Sequence, residues 1–167
     1  MADELERLLE REDNKTRYSD GSLHTIDADN LSEKTTNANA VAMAVVEVVR
    51  DPNSTVREIH FSHNNTDPNM NMAYYTKEIL REKKLTHLYL RHNNIGDEEA
   101  RVITDMALDV DNPIKSIDLE HNNISENCFY ELAEKISYAN KYLVIYICEG
   151  YNSEGNQIGG TLLRVPL

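Results

Sequence analysis

The sequence predicts an α/β fold made by stacking like units, with short parallel strands in one layer and helices in the other. Three observations predict it: a gapless internal repeat, apolar residues spaced for a short strand in each copy, and a change to helical spacing between copies. The chain has 167 residues, enough for one domain with a continuous core if its units stack.

The repeat is carried by VREIHFSHNNT from Val56, LTHLYLRHNNI from Leu85 and IKSIDLEHNNI from Ile114, at intervals of 29 residues. Each copy has apolar residues at its first, fourth and sixth positions and Asn at its ninth: Val56, Ile59, Phe61, Asn64; Leu85, Leu88, Leu90, Asn93; Ile114, Ile117, Leu119, Asn122. Alternation over Leu85 to Leu90 predicts a strand with Leu88 and Leu90 inward, while Thr86, His87, Tyr89 and Arg91 face out or border the turn. An Asn in the turn can satisfy backbone groups that the bend exposes, including those of the next copy. A fourth unit, YLVIYICEG, sits 28 residues on; it keeps Tyr142, Ile145 and Ile147 but has Gly150 in place of the Asn. An opening unit, LHTIDADNL, is expected 33 residues before Val56, keeping Leu23, Ile26 and Ala28. These departures read as capping turns that close off the core.

Between strands the apolar period changes from two to nearly four. Asp97 to Val110 places Ala100, Ile103, Ala107 and Val110 on one stripe and begins with acids suited to a helix N-terminus. Glu126 to Ala139 does the same with Phe129, Leu132, Ala133 and Ile136, and Ser125 is its expected N-cap. Weaker stripes predict helices over Asp67 to Arg81, through Met70, Ala73, Tyr74 and Leu80, and over Glu33 to Arg50, through Ala42, Val45, Val46 and Val49.

The pattern LxxLxLxxN resembles the leucine-rich-repeat family, residue by residue from Val56 to Ile124. A full helix in each 29-residue unit resembles the ribonuclease-inhibitor-like subtype. The resemblance implies a short right-handed leucine-rich-repeat solenoid, with parallel strands on the concave face and helices on the convex face. It also implies a protein-recognition module, and covering an enzyme's cleft with the concave face is a known role of that subtype. The small size and acidic, Asn-rich composition are similar to short repeat effectors, or effector regulators, of intracellular bacterial pathogens.

Four segments are expected on this basis. Residues 1–20 form an N-terminal amphipathic or capping segment, 21–55 a cap or divergent repeat, 56–150 the leucine-rich repeats and 151–167 a closing hairpin. Leu5, Leu8 and Leu9 can share a helix face, although the i to i+4 charges there pair poorly; docking on the first repeat or fraying in solvent is favoured over partner binding. The Gly-rich turn and Thr161, Leu162, Leu163 and Val165 would cover the edge of the fourth repeat strand.

Composition narrows the partner. A formal charge of -12, from 17 Lys and Arg against 29 Asp and Glu, repels phosphate backbones and anionic lipids. It points to a protein with a basic surface, bound by a monomer or in a 1:1 heterocomplex, and away from nucleic acid and membrane. No apolar run approaches the ~20 residues of a membrane span. The charged start MADELERLLERED is unlike a secretory signal, and two cysteines without CxxC spacing suit a reducing compartment, so a cytoplasmic location, in a host cell if the chain is an effector, is expected. There the Asn64-Asn65-Thr66 and Asn123-Ile124-Ser125 matches to a glycosylation acceptor carry no meaning.

Outward positions on successive strands should line up as columns: His60, Tyr89, Asp118, Tyr146; Ser62, Arg91, Glu120, Cys148; and His63, His92, His121, Glu149. The candidate protein-binding residues are His60, His63, His87, Tyr89, Arg91, His92, Asp118, Glu120, His121 and Tyr146, because Tyr, Arg and His combine contact area with directional polar groups. The histidines raise two further readings, a metal-responsive binder and a pH-sensitive interface. Repetition of the HNN turn accounts for their column without a metal, and no cofactor is expected. Cys148 with His121 and Glu149 has the residue types of a thiol hydrolase, but no nucleophile elbow, phosphate cradle or paired-acid motif accompanies them, so no enzyme is expected.

Overall fold

The computed structural model describes residues 23–35, 37–65, 70–139, 141–151 and 157–164. The expected segment 1–20 lies outside them. The elements, in chain order, are β1 (Thr25–Asp27), α1 (Leu31–Lys34), α2 (Ala38–Arg50), β2 (Glu58–His60), α3 (Met72–Arg81), β3 (His87–Tyr89), α4 (Asp97–Leu108), β4 (Ser116–Asp118), α5 (Glu126–Ser137), β5 (Leu143–Tyr151) and β6 (Gln157–Arg164). The strands form one open sheet in the order β1-β2-β3-β4-β5-β6. The first five run parallel, and β6 returns antiparallel against β5. The helices follow the same order, each touching the next. No described helix is long and apolar enough to cross a membrane.

The parallel register places Ile26, Ile59, Leu88, Ile117 and Ile145 side by side, each at most 1% exposed. Ala28, Phe61, Leu90, Leu119 and Ile147, two residues later in each unit, are buried beside them. From the helix layer this core receives Val45, Val46 and Val49 of α2, Ile79 and Leu80 of α3, Ile103 of α4 and Leu132 and Ile136 of α5. Burying a side chain such as Phe61 or Leu90 contributes about 1.5–3 kcal/mol.

The asparagines join one unit to the next. The Asn64 carboxamide accepts from the Leu31 N–H at 2.7 Å and donates to the Ala28 and Phe61 carbonyls. Asn93 accepts from the Asn64 N–H at 2.9 Å and donates to Phe61; Asn122 accepts from the N–H groups of Asn93 and Ile95 and donates to Leu90 and Leu119. Each side chain therefore satisfies backbone groups of the preceding unit, which would otherwise be buried without partners.

Other ties were not legible in the sequence. Lys84 Nζ donates to the carbonyls of Val49 and Asp51 past the C-terminus of α2, both at 2.7 Å. Lys141 does the same beyond α4, to Ala107, Asp109 and Asn112. These ammonium groups stabilise the negative ends of helix dipoles. Burial pushes the Lys141 ammonium below its ordinary value, with Asp109 opposing that shift and Lys83 adding to it.

Several expected boundaries move. The stretch expected as one helix over Glu33 to Arg50 divides into α1 and α2, because the chain is extended at Thr35; Ala42, Val45, Val46 and Val49 are nevertheless fully buried. In α3, Tyr74 is exposed and Tyr75 is the buried aromatic, its hydroxyl donating to Asn39 at 2.7 Å. The helix begins at Met72 after Asn71 caps it, and the part of the expected range over 67–69 lies outside the described residues. Helix α4 ends at Leu108, where Asp109 turns the chain out, and leaves Val110 79% exposed. In the fourth unit Leu143 takes the buried place and Tyr142 stands exposed. Ser125 caps α5 as expected, accepting from the Cys128 N–H at 3.2 Å.

Asn93→Ala should cost about 2 kcal/mol, since it leaves buried backbone groups without partners, and should lower Tm by roughly 4–8 °C. Exposed Asn65→Ala should stay within about 0.5 kcal/mol. Urea denaturation of both variants checks the contrast. The Thr104 hydroxyl is buried without a hydrogen-bond partner among the described residues. Thr104→Val keeps its shape and should raise stability by about 1 kcal/mol in the same assay.

Candidate functional site

Outward positions are set by the same register that builds the core. One line runs Asp27, His60, Tyr89, Asp118, Tyr146 across β1 to β5, and another Thr25, Glu58, His87, Ser116, Val144. Arg91 and Glu120 follow β3 and β4 at equivalent positions. All ten sequence-predicted residues lie at these outward strand positions or in the turns just after them.

His60, second in the first of these lines, stacks on Tyr89 with ring centroids 4.3 Å apart, and its Nε2 lies 2.9 Å from Glu58 Oε1. His87 Nδ1 lies 2.9 Å from the Thr86 hydroxyl at the strand's entry. Tyr89 is half-buried; burial first, then the charges of Glu58 and Asp118, raise its phenol above its ordinary value.

The third predicted column lies in the turns after the strands. His63, His92 and His121 have φ values of 58°, 54° and 55°, a left-handed conformation that bulky residues seldom adopt. The turn brings their rings into a stack, His63 to His92 at 4.4 Å and His92 to His121 at 4.3 Å. Rings stacked face to face do not converge their nitrogens on one ion. Among the described residues, no three His, Cys, Asp or Glu side chains are placed to hold a metal. Burial lowers the His92 imidazole from its ordinary value of 6.5, and His121, His63 and Arg91 add to the shift.

Arg91 lies between two acids. Its terminal amine pairs with Glu120, and its Nε is 3.8 Å from Asp118 Oδ2. Asp118 is only 8% exposed, and its Oδ1 accepts from the Glu120 N–H at 3.0 Å. Burial raises its carboxyl above the ordinary range, against the Glu120 backbone bond and Arg91, which lower it. Around these groups lies an open depression of about 710 Å³ between β3 and β5, reached by Tyr89, Asp118, Tyr142 and Tyr146.

The strand face also has functional candidates that sequence reasoning missed. Asp27, Asp29 and Glu58 extend it with negative charge, and Lys34 pairs with Asp27 at 3.3 Å. Asp29 accepts from the Ser62 N–H, and burial raises its carboxyl. The signal was available at the β1 end, since Asp27 and Asp29 precede His60 and Ser62 by the same 33 residues that separate Ile26 from Ile59. The proposed thiol group falls outside the described side chains at Cys148 and Glu149. Cys128 is a buried free thiol, pushed up chiefly by burial and next by Asp97.

The histidine stack predicts a pH dependence of stability. With its folded value depressed, His92 takes up a proton less readily folded than unfolded. Stability should therefore fall as the pH drops from the ordinary value toward the lowered one, then level off. Raised carboxyls at Asp29 and Asp118 act with the opposite sign at lower pH, above their unfolded value of 3.8. His92→Asn keeps a residue tolerant of the left-handed turn, and thermal melts at pH 7.5 and 5.5 should show a smaller acid loss than in the parent chain. Equal losses in both would show that the stack does not govern this window.

Against known proteins, the family model described as Leucine Rich repeat matches residues 83–101. No curated protein and no solved structure matches the chain. The match covers β3 and the start of α4, including Leu88, Leu90 and Asn93. It supports a leucine-rich-repeat family for this chain, which is similar to that family over the stretch where strand, asparagine turn and helix follow one another.

Proposed function

We propose that this chain is a leucine-rich-repeat recognition module of the ribonuclease-inhibitor-like subtype, a short right-handed solenoid that binds a partner protein across its strand face. The observation that carries the reading is the alignment of His60, Tyr89, Asp118 and Tyr146 on successive strands, with Tyr146 38% exposed. Large polar and aromatic side chains held in register by a rigid sheet lose little conformational freedom on binding, which favours recognition. The acids Asp27, Asp29, Glu58 and Glu120 suit a partner with a basic surface. An interface of standard size, about 1,200–2,000 Å² in total, would centre on Tyr89, Arg91, Asp118, Glu120 and Tyr146. A partner enzyme whose cleft faced these residues would be inhibited by exclusion of its substrate, without any catalytic group in this chain.

Affinity capture followed by mass spectrometry tests the reading. Tyr89→Ala combined with Arg91→Ala should reduce recovery of the captured protein at least tenfold and leave the circular dichroism unchanged. Arg101→Ala, which removes the ion pair with Glu131 between α4 and α5, should leave capture intact. Equal recovery with both variants would move the interface off the strand face.

A further inference from the structure

We propose that the depression between β3 and β5 receives a lysine side chain of the partner, whose primary ammonium settles on Asp118 between Tyr89 and Tyr146. This rests on the strand-face reading above and assigns the chemistry of its central contact.

Asp118 supplies the anion. One carboxylate oxygen is taken by the Glu120 N–H at 3.0 Å, while the other has Arg91 Nε at 3.8 Å, beyond hydrogen-bond length. Arg91 is drawn away by Glu120, with which it makes the closer pair. A carboxylate in a residue only 8% exposed has lost most of its hydration, and an open oxygen there is stabilised by a donor arriving from outside.

The tyrosines supply the walls. Tyr89 covers His60 with one ring face, so its opposite face fronts the depression. Tyr146 stands two strands away, about 9.6 Å at the usual strand spacing. An alkyl chain midway in that gap lies about 4.8 Å from each side, within roughly 1 Å of the 3.5–4 Å optimum for carbon contacts, which a small rotation of either side chain closes. The negative face of an aromatic ring attracts a cation, adding to the pull of Asp118.

The arrangement favours lysine over arginine. A guanidinium binds best to two coplanar oxygens, and one oxygen of Asp118 is already engaged by backbone. An ammonium is a point charge that needs one oxygen and tolerates curved aromatic surroundings. Lys115 and His87 also border the depression, so the attraction comes from Asp118 and the ring faces rather than from a uniformly acidic rim.

NMR titration of the isotope-labelled full chain with the peptide acetyl-Ser-Gly-Lys-Gly-Ser-amide tests the assignment, beside versions carrying Arg, norleucine or Nε-acetyl-lysine at the centre. The lysine peptide should bind saturably in the millimolar range and shift the amides of Tyr89, Asp118, Glu120 and Tyr146. Binding should weaken at least fivefold in Asp118→Asn, which preserves the acceptor for the Glu120 N–H, and in Tyr146→Ala. It should persist in Asp105→Asn, which changes a helix-layer acid paired with Lys135, and the spectra of the free variants report whether each remains folded. Absent binding, shifts spread over the acids of the helices, equal binding by the acetylated peptide, a preference for arginine, or undiminished binding by Asp118→Asn would each overturn the assignment. The wider recognition reading is judged separately: if the peptides fail while the Tyr89/Arg91 double variant still loses its captured protein, the face stands and the lysine receptor falls.

Discussion

Each three-residue strand in this sheet gives way to a turn whose backbone amides and carbonyls are withdrawn from water, and the structure depends on satisfying those groups. Asn64, Asn93 and Asn122 do so with one short side chain each, accepting from one or two N–H groups and donating to one or more carbonyls. Aspartate would lack the donor and leucine would lack both functions, so the amide is required at this position. Because the bonds cross from unit to unit, the asparagines also set the offset at which neighbouring strands meet. The apolar columns of the core follow from that offset, and so does the alignment of the outward side chains.

The strand side of the molecule was legible in the sequence because it has a strict period. Ile59, Leu88 and Ile117 are related by the 29-residue interval, and an interval shared by several units leaves little freedom in register. It held at Ile145 despite the one-residue deletion, because Asp118 still meets Tyr146. The helical side was less legible, since a stripe of apolar residues fixes neither the phase nor the ends of a helix. Tyr74 and Tyr75 are adjacent and chemically alike, and which one is buried depends on where Asn71 starts the helix. Val110 continues the stripe of α4 in sequence, yet the turn around Asp109 and Asn112 ends the helix before that residue can face inward. The lysines behind α2 and α4 each stand just before the first position of a unit, two intervals (29 and 28 residues) apart, but the copy between them has Pro113 at that place, which hides the pattern.

At the site, the columns were predictable and the internal partnerships were not. Listing His60, Tyr89, Asp118 and Tyr146 as one row requires only register, but the pairing of Arg91 with Glu120 and the partial dehydration of Asp118 depend on three-dimensional packing. These partnerships change the chemistry of the row. Arg91 is a cation whose charge is largely answered within the chain, and the outward surface consequently presents more negative than positive charge to a partner. The histidine stack behaves similarly. Its repetition is visible in the sequence, while the left-handed turns that bring the rings to 4.3–4.4 Å are a property of the backbone.

The reversal at β6 gives the array a polarity. A strand running against β5 offers the next one an antiparallel edge, so another unit of the same kind has no matching place beyond it. At that end enlargement by like units is therefore blocked, whereas in the interior the edges of β2, β3 and β4 are equivalent. A duplicated 29-residue segment spliced there would find above and below it the amide joints it already fits, and would widen the outward surface by one rung, about 4.8 Å. The breadth of target that such a protein can cover is thereby adjustable in whole rungs, with both terminal elements left as they are.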